Sequence, residues 1–129
     1  MNNQEPKTTT TEIGQYDQIP ADFPMTALLG AISGAQAKLL LTEYEGKFYS
    51  PGTSPPERFQ RWDICEDLAR QFSEKCLESK ASKRAHMSET EILQQYYARL
   101  LKTDWVSDAE GAWVINRVSA IISWPKLAL

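Results

Sequence analysis

The chain has little of what metal sites, membrane spans and nucleic-acid grooves are made from. Its single histidine, His86, has no ligand-spaced Cys, His or carboxylate beside it, so no zinc-type site can be drawn from the sequence. No stretch approaches the roughly 18 apolar residues of a membrane span. There is no excess of positive charge. Fourteen Lys and Arg stand against seventeen Asp and Glu, a net charge of -3. That argues against a protein whose main task is coating nucleic acid, which requires clustered cations to neutralise phosphates, and leaves room for a local basic patch.

Cysteine is also scarce. Cys65 and Cys76 are eleven residues apart. On one helix that spacing is roughly 16 Å of rise, and a disulfide needs α-carbons within about 7 Å. The two cannot pair within a helix, and free apolar-face thiols fit a reducing compartment. The opening residues, up to Gln15, contain no apolar core and no cleavage pattern, so no secretory signal is expected. These features together predict a cytoplasmic protein that does not engage a membrane.

What is present is ordinary globular composition, with 42% apolar and 24% charged residues in 129. That amount of chain can bury a core without disulfides or metal. Residues 1–17 are polar, with threonine at each position from Thr8 to Thr11, and are expected to form a disordered tail. Residues 18–129 are expected to form a single α+β domain. Ile19 and Phe23 each precede a proline, which favours extended backbone that tucks both side chains onto the core.

Periodicity gives the elements. Leu39–Tyr44 reads as a strand, Glu45-Gly46 as a tight turn and Lys47–Ser50 as the returning strand. Ser54 with Glu57 then has the form of a capping box, with prolines tolerated in the first turn. The helix that follows, about 55–79, carries Phe59, Trp62, Cys65, Ala69, Phe72 and Cys76 at steps of three and four, widened by Ile64 and Leu68. Ser88 with Glu91 opens a second helix, whose core face is Ile92, Leu93, Tyr96, Tyr97, Leu100 and Leu101. Ser107 with Glu110 opens a third, with Trp113, Val114, Val118, Ile121 and Ile122 inward, stopped by Trp124 and Pro125. The short connection predicts that the last two helices form an antiparallel pair, with the long helix packed across them. The expected fold is mainly helical α+β, a β-hairpin packed on three α-helices.

Two segments could carry function. The first is Ser33, Gly34, Ala35, Gln36 and Lys38, a small-residue turn whose backbone amides could converge on an anion with the lysine adding charge. A tight turn with a solvated lysine is the plainer reading. Ile32 to Lys38, the strand after it, Gly46-Lys47 and Pro51 to Pro55 resemble the phosphate-loop hairpin of HipA-type serine/threonine kinases, the toxins of persister toxin–antitoxin modules. The resemblance covers about 25 of the 129 residues. It implies that Ser33 to Lys38 lies over nucleotide phosphates. The rest of the chain departs from that family. A kinase needs a catalytic Asp, an Asn and a metal-binding Asp at motif spacing. Asp63, Asp67, Asp104 and Asp108 have no such setting. Kinase activity is therefore not expected, and neither catalytic residues nor a cofactor are implied.

The second segment is aromatic. Trp105 and Trp124 fall near helix ends and, with Tyr96 and Tyr97, could form a patch for a protein partner or a second copy of the chain. Asp63, Glu66 and Asp67, with Arg70 one turn on, read as a solvated acidic face with a Glu66–Arg70 pair. Lys80, Lys83 and Arg84 form a basic linker that could touch DNA phosphates. The sequence thus favours a small, non-enzymatic binding or regulatory protein of the kind found among bacterial mobile-element and defence accessory proteins. Phosphate or nucleotide binding and DNA binding are the alternatives.

Overall fold

The computed structural model describes residues 16–25, 41–49 and 53–129. The elements are strands β1 (Thr42–Tyr44) and β2 (Lys47–Tyr49), then helices α1 (Pro55–Ala81), α2 (Glu89–Lys102) and α3 (Asp108–Ile122). The class is α+β and mainly helical, as the periodicity implied. The chain gathers into two compact units, Met1–Trp62 and Asp63–Leu129, with the boundary inside α1.

In the first unit, β1 and β2 are antiparallel, with Thr42 opposite Tyr49, Glu43 opposite Phe48 and Tyr44 opposite Lys47. The two turn residues, Glu45 (φ 50) and Gly46 (φ 80), are both left-handed. A two-residue hairpin loop needs this geometry to match strand twist. Thr42, Tyr44 and Tyr49 share one half-buried face, while Phe48 and Glu43 point outward. The inner face meets aromatic rings: Tyr16 lies edge-on to Tyr44 (6.1 Å) and to Phe59 (5.8 Å), and Phe59 tilts against Trp62 (5.5 Å). The Tyr44 hydroxyl is pushed up to about 12, first by desolvation and then by hydrogen bonds to Tyr16 and Glu45. Phe23 is buried and Ile19 half-buried, as expected, but the lead-in is made of turns and not extended backbone: the Ile19 amide donates to the Tyr16 carbonyl (3.3 Å) and the Phe23 amide to the Pro20 carbonyl (3.0 Å). Arg58 of α1 fixes it, donating to the Phe23 carbonyl (2.7 Å) while its guanidinium lies over the Phe23 ring. Tyr16 and Asp17 form a helical turn, so the part of the expected tail that is described is folded. Residues 1–15 lie outside the described residues, as do Leu39, Leu40 and Ser50 of the expected strands; Leu41 precedes β1 and is exposed.

α1 starts differently from the capping-box expectation. The Ser54 amide donates to Glu57 Oε1 (3.2 Å), but its hydroxyl also donates to that oxygen (2.6 Å) instead of accepting from an amide. The prolines at the first two helical positions have no N–H to satisfy, which makes this arrangement sufficient. α2 and α3 have complete boxes. Ser88 accepts from the Glu91 amide (3.1 Å) and Ser107 from the Glu110 amide (3.1 Å), while each glutamate accepts from its serine's amide. α3 ends at left-handed Ser123 (φ 59), and the Trp124 amide returns to the Ser119 carbonyl (2.9 Å), a Schellman-type closure.

The second unit has its core where α2 and α3 meet the rest of α1. Ile92, Leu93, Tyr96 and Leu100 come from α2, and Trp113, Val114, Ile115 and Val118 from α3. Val106 and Leu127 close its ends. Gly111 permits the α2–α3 contact, since a Cβ there would fall 2.9 Å from Leu101 Cδ2. The buried stripe of α1 is built from small groups: Cys65, Ala69, Ser73, Cys76 and Ser79. Ser73 donates to the Ala69 carbonyl four residues back (2.7 Å), so its hydroxyl needs no partner across the interface. Phe59, Trp62 and Phe72 are half-buried, and Ile64, expected to widen the stripe, is exposed. Ile121, expected in the core, is also exposed, whereas Ile115 is buried.

One residue overturns the reading of the acidic face. Glu66 is buried and forms a two-point pair with Arg117 of α3, Nε to Oε1 and Nη2 to Oε2, both 2.9 Å. Arg70 adds a longer contact at 3.6 Å. Only Asp63 and Asp67 of the three acids are solvated. Removing one partner strands a buried charge, which costs more than the intact pair contributes. Arg117→Ala is therefore expected to destabilise the protein by about 2 kcal/mol, read as a lower urea midpoint at unchanged slope; Arg70→Ala, at an exposed position, is expected to move the midpoint by less than a quarter of that.

Candidate functional site

The loop residues Ser33, Gly34, Ala35, Gln36 and Lys38 lie outside the described residues. The four aromatic residues of the expected patch are described, and they do not share one role.

Tyr96 is in the interior, and this corrects its place in the patch. It is 8% exposed, and its hydroxyl shares a 2.8 Å hydrogen bond with buried Ser79 of α1. Its ring tilts against Phe72 (5.7 Å). The sequence had already put Tyr96 on the apolar stripe of α2, and that periodicity governs. Tyr97 is half-buried and lies 3.6 Å from the position a Cβ on Gly111 would take, so it lines the α2–α3 contact. Trp124 is half-buried just beyond the α3 cap.

Trp105 alone of the four is displayed, 60% exposed on the α2–α3 turn. The turn itself produces this. The Thr103 hydroxyl donates to the Leu100 carbonyl (2.7 Å) and accepts from the Trp105 amide (3.1 Å). Asp104 is left-handed (φ 62), which reverses the chain. Val106 then turns into the core, so its neighbour Trp105 faces outward.

The basic linker is largely occupied with internal bonds. Lys80 Nζ donates to the carbonyls of Met87 (2.7 Å) and Ala85 (3.5 Å). The Arg84 amide closes the end of α1 on the Ser79 carbonyl (2.8 Å), and its guanidinium donates to Ser79 Oγ (3.0 Å) and Gln95 Oε1 (2.9 Å). These are the bonds that terminate α1 and orient α2. Lys83 and His86 are exposed.

Among the described residues no group of three or more His, Cys, Asp or Glu is placed to hold a metal ion, and no described helix is long and apolar enough to cross a membrane. Both cysteines are buried free thiols. Burial pushes the Cys76 thiol up to about 11, against a smaller lowering by Arg84. A thiol so raised is protonated at neutral pH and is a poor nucleophile. Comparison with protein-family models, curated proteins and solved structures returns no match.

The state of the thiols is directly measurable. Both are expected to resist a disulfide reagent in native protein at pH 8 and to react together once guanidinium unfolds it. Fast reaction of either thiol in the native state is the contrary result.

Proposed function

We propose that this chain is a small, non-enzymatic binding or regulatory protein that acts through protein–protein contact, alone or as a homodimer, in the cytoplasm. Bacterial accessory proteins of mobile elements and defence systems are the nearest analogy. The supporting observation is Trp105. Its indole is 60% exposed, yet the turn carrying it is held by the Thr103 hydrogen bonds and anchored by buried Val106. A large aromatic on a rigid support loses little entropy when covered, which is why tryptophan dominates binding hot spots. Tagged protein is expected to recover a specific partner from its host, or a second copy of itself. Trp105→Ala is expected to weaken that capture by about 2 kcal/mol, roughly thirtyfold, with the helical circular-dichroism signal retained. A protein that stays monomeric and captures nothing that the variant loses removes the basis of this reading.

Phosphate or nucleotide binding by Ser33, Gly34, Ala35, Gln36 and Lys38 is the second reading. It is supported by the hairpin at Thr42–Tyr49, which follows the loop where the resemblance to HipA-type kinases expects one. ATP or inorganic phosphate is then expected to raise the melting temperature, and Gly34→Val or Lys38→Ala to abolish the rise. No shift with either ligand removes the reading. DNA binding through Lys80, Lys83 and Arg84 has less support, because the net charge is -3 and Lys80 already donates to carbonyls within the protein.

A further inference from the structure

The α1–α2 junction holds two arginines on one tyrosine. Arg84 lies 5.8 Å and Arg99 5.3 Å from the centroid of the Tyr96 ring. Both are within the range in which a guanidinium is attracted to an aromatic ring. The ring is fixed in turn by Phe72 and by the Tyr96–Ser79 hydrogen bond. Neither arginine has a carboxylate partner among the described residues. Arg84 commits Nε to Gln95 and Nη1 to Ser79, which orients its plane and leaves Nη2 available. Arg99 is exposed one helical turn beyond Gln95, and Lys102 follows on the same side of α2. Two guanidiniums borne on one ring, neither paired with an acid among the described residues, leave positive charge uncompensated there. An incoming anion meets an Arg84 whose plane is already oriented by its own bonds, so that side chain loses less orientational freedom on binding.

We propose that Arg84 and Arg99, braced on Tyr96, form a docking fork for carboxylates on an acidic segment of a protein partner. This deepens the protein-contact reading given above, and rests on it. Protein carboxylate is favoured over nucleic-acid phosphate by the rest of the molecule. The net charge is -3, which disfavours a long polyanion such as DNA. A short acidic segment meets less of that net charge than a long polyanion does.

The test uses the full chain and a short fluorescent polyglutamate peptide, with binding read by anisotropy at low and at physiological ionic strength. Binding is expected at low salt, weakening as salt rises. Arg99→Glu is expected to weaken it at least tenfold, and Arg99→Lys, which keeps the charge but loses the planar fork, several-fold. Tyr96→Phe keeps the ring and is expected to leave binding intact. Arg99 is exposed, so an unchanged melting temperature confirms that its variants are folded. Absence of peptide binding at low salt, or peptide binding that Arg99→Glu leaves intact, overturns the proposal. So does duplex DNA binding more tightly than the peptide with the same dependence on Arg99. If Trp105→Ala abolishes partner capture while Arg99→Glu does not, the fork fails and the protein-contact reading stands; if no partner is captured at all, the protein-contact reading fails and the fork falls with it.

Discussion

The Glu66–Arg117 pair sets the register of the second unit. A carboxylate almost withdrawn from water must have its lone pairs filled, and the two parallel bonds from Arg117 do this only when α1 and α3 hold one relative position. Everything else on that side of α1 fits the constraint. The groups flanking Glu66 on the buried stripe are small, which lets the helix come close enough for the guanidinium to reach. Hydrophobic contact among such small groups is forgiving about sliding and rotation, because they offer little shape to interlock. The ion pair is not forgiving, so it supplies the specificity that a stripe of Cys, Ala and Ser lacks.

The same economy appears at the turns. Polar side chains that might have served a ligand instead terminate helices. Lys80 occupies carbonyls of the linker after α1 and Arg84 the Ser79 hydroxyl at the end of α1, Thr103 binds the Leu100 carbonyl at the end of α2, and the glutamates of two capping boxes fill the amides that open α2 and α3. A cation holding a helix end is oriented, and its unused donors point in a fixed direction. That is why Arg84, with two of its nitrogens committed, is a better element of a recognition site than a solvated arginine: part of its rotamer entropy has already been lost in folding.

Features encoded by local chemistry were legible in the sequence. The two complete capping boxes fixed the starts of α2 and α3, Glu45-Gly46 marked the hairpin turn, and the apolar pairs of α2 gave its buried face. Features that depend on a partner far along the chain were not. Glu66 has the same spacing to Arg70 as any solvated helix pair, and nothing local signals that an arginine 51 residues later will claim it. Ser73 and Ser79 read as polar positions, yet one satisfies itself on the preceding turn and the other finds Tyr96. Leu127, two residues beyond Pro125, returns to the core without any periodic pattern. Tyr96 was read twice, as core and as surface. The stripe was the better guide, because an aromatic whose ring and hydroxyl can both be satisfied inside has more to gain from burial than from display.

The exposure of Trp105 follows from constraints on either side of it. Asp104 adopts a left-handed conformation that costs a non-glycine residue about 1 kcal/mol. Such a conformation persists only where its surroundings over-determine it. Here the determinants are Thr103, which binds both the carbonyl behind it and the amide ahead, and Val106 with the Ser107 box, which pull the chain into α3. With Val106 committed inward, the adjacent side chain has no interior position open to it. The indole is therefore displayed by the fold and is not stranded by an incomplete core. An apolar group held outward by strain that the fold maintains would lose less entropy when another surface covers it, and turn strain is thereby coupled to surface display.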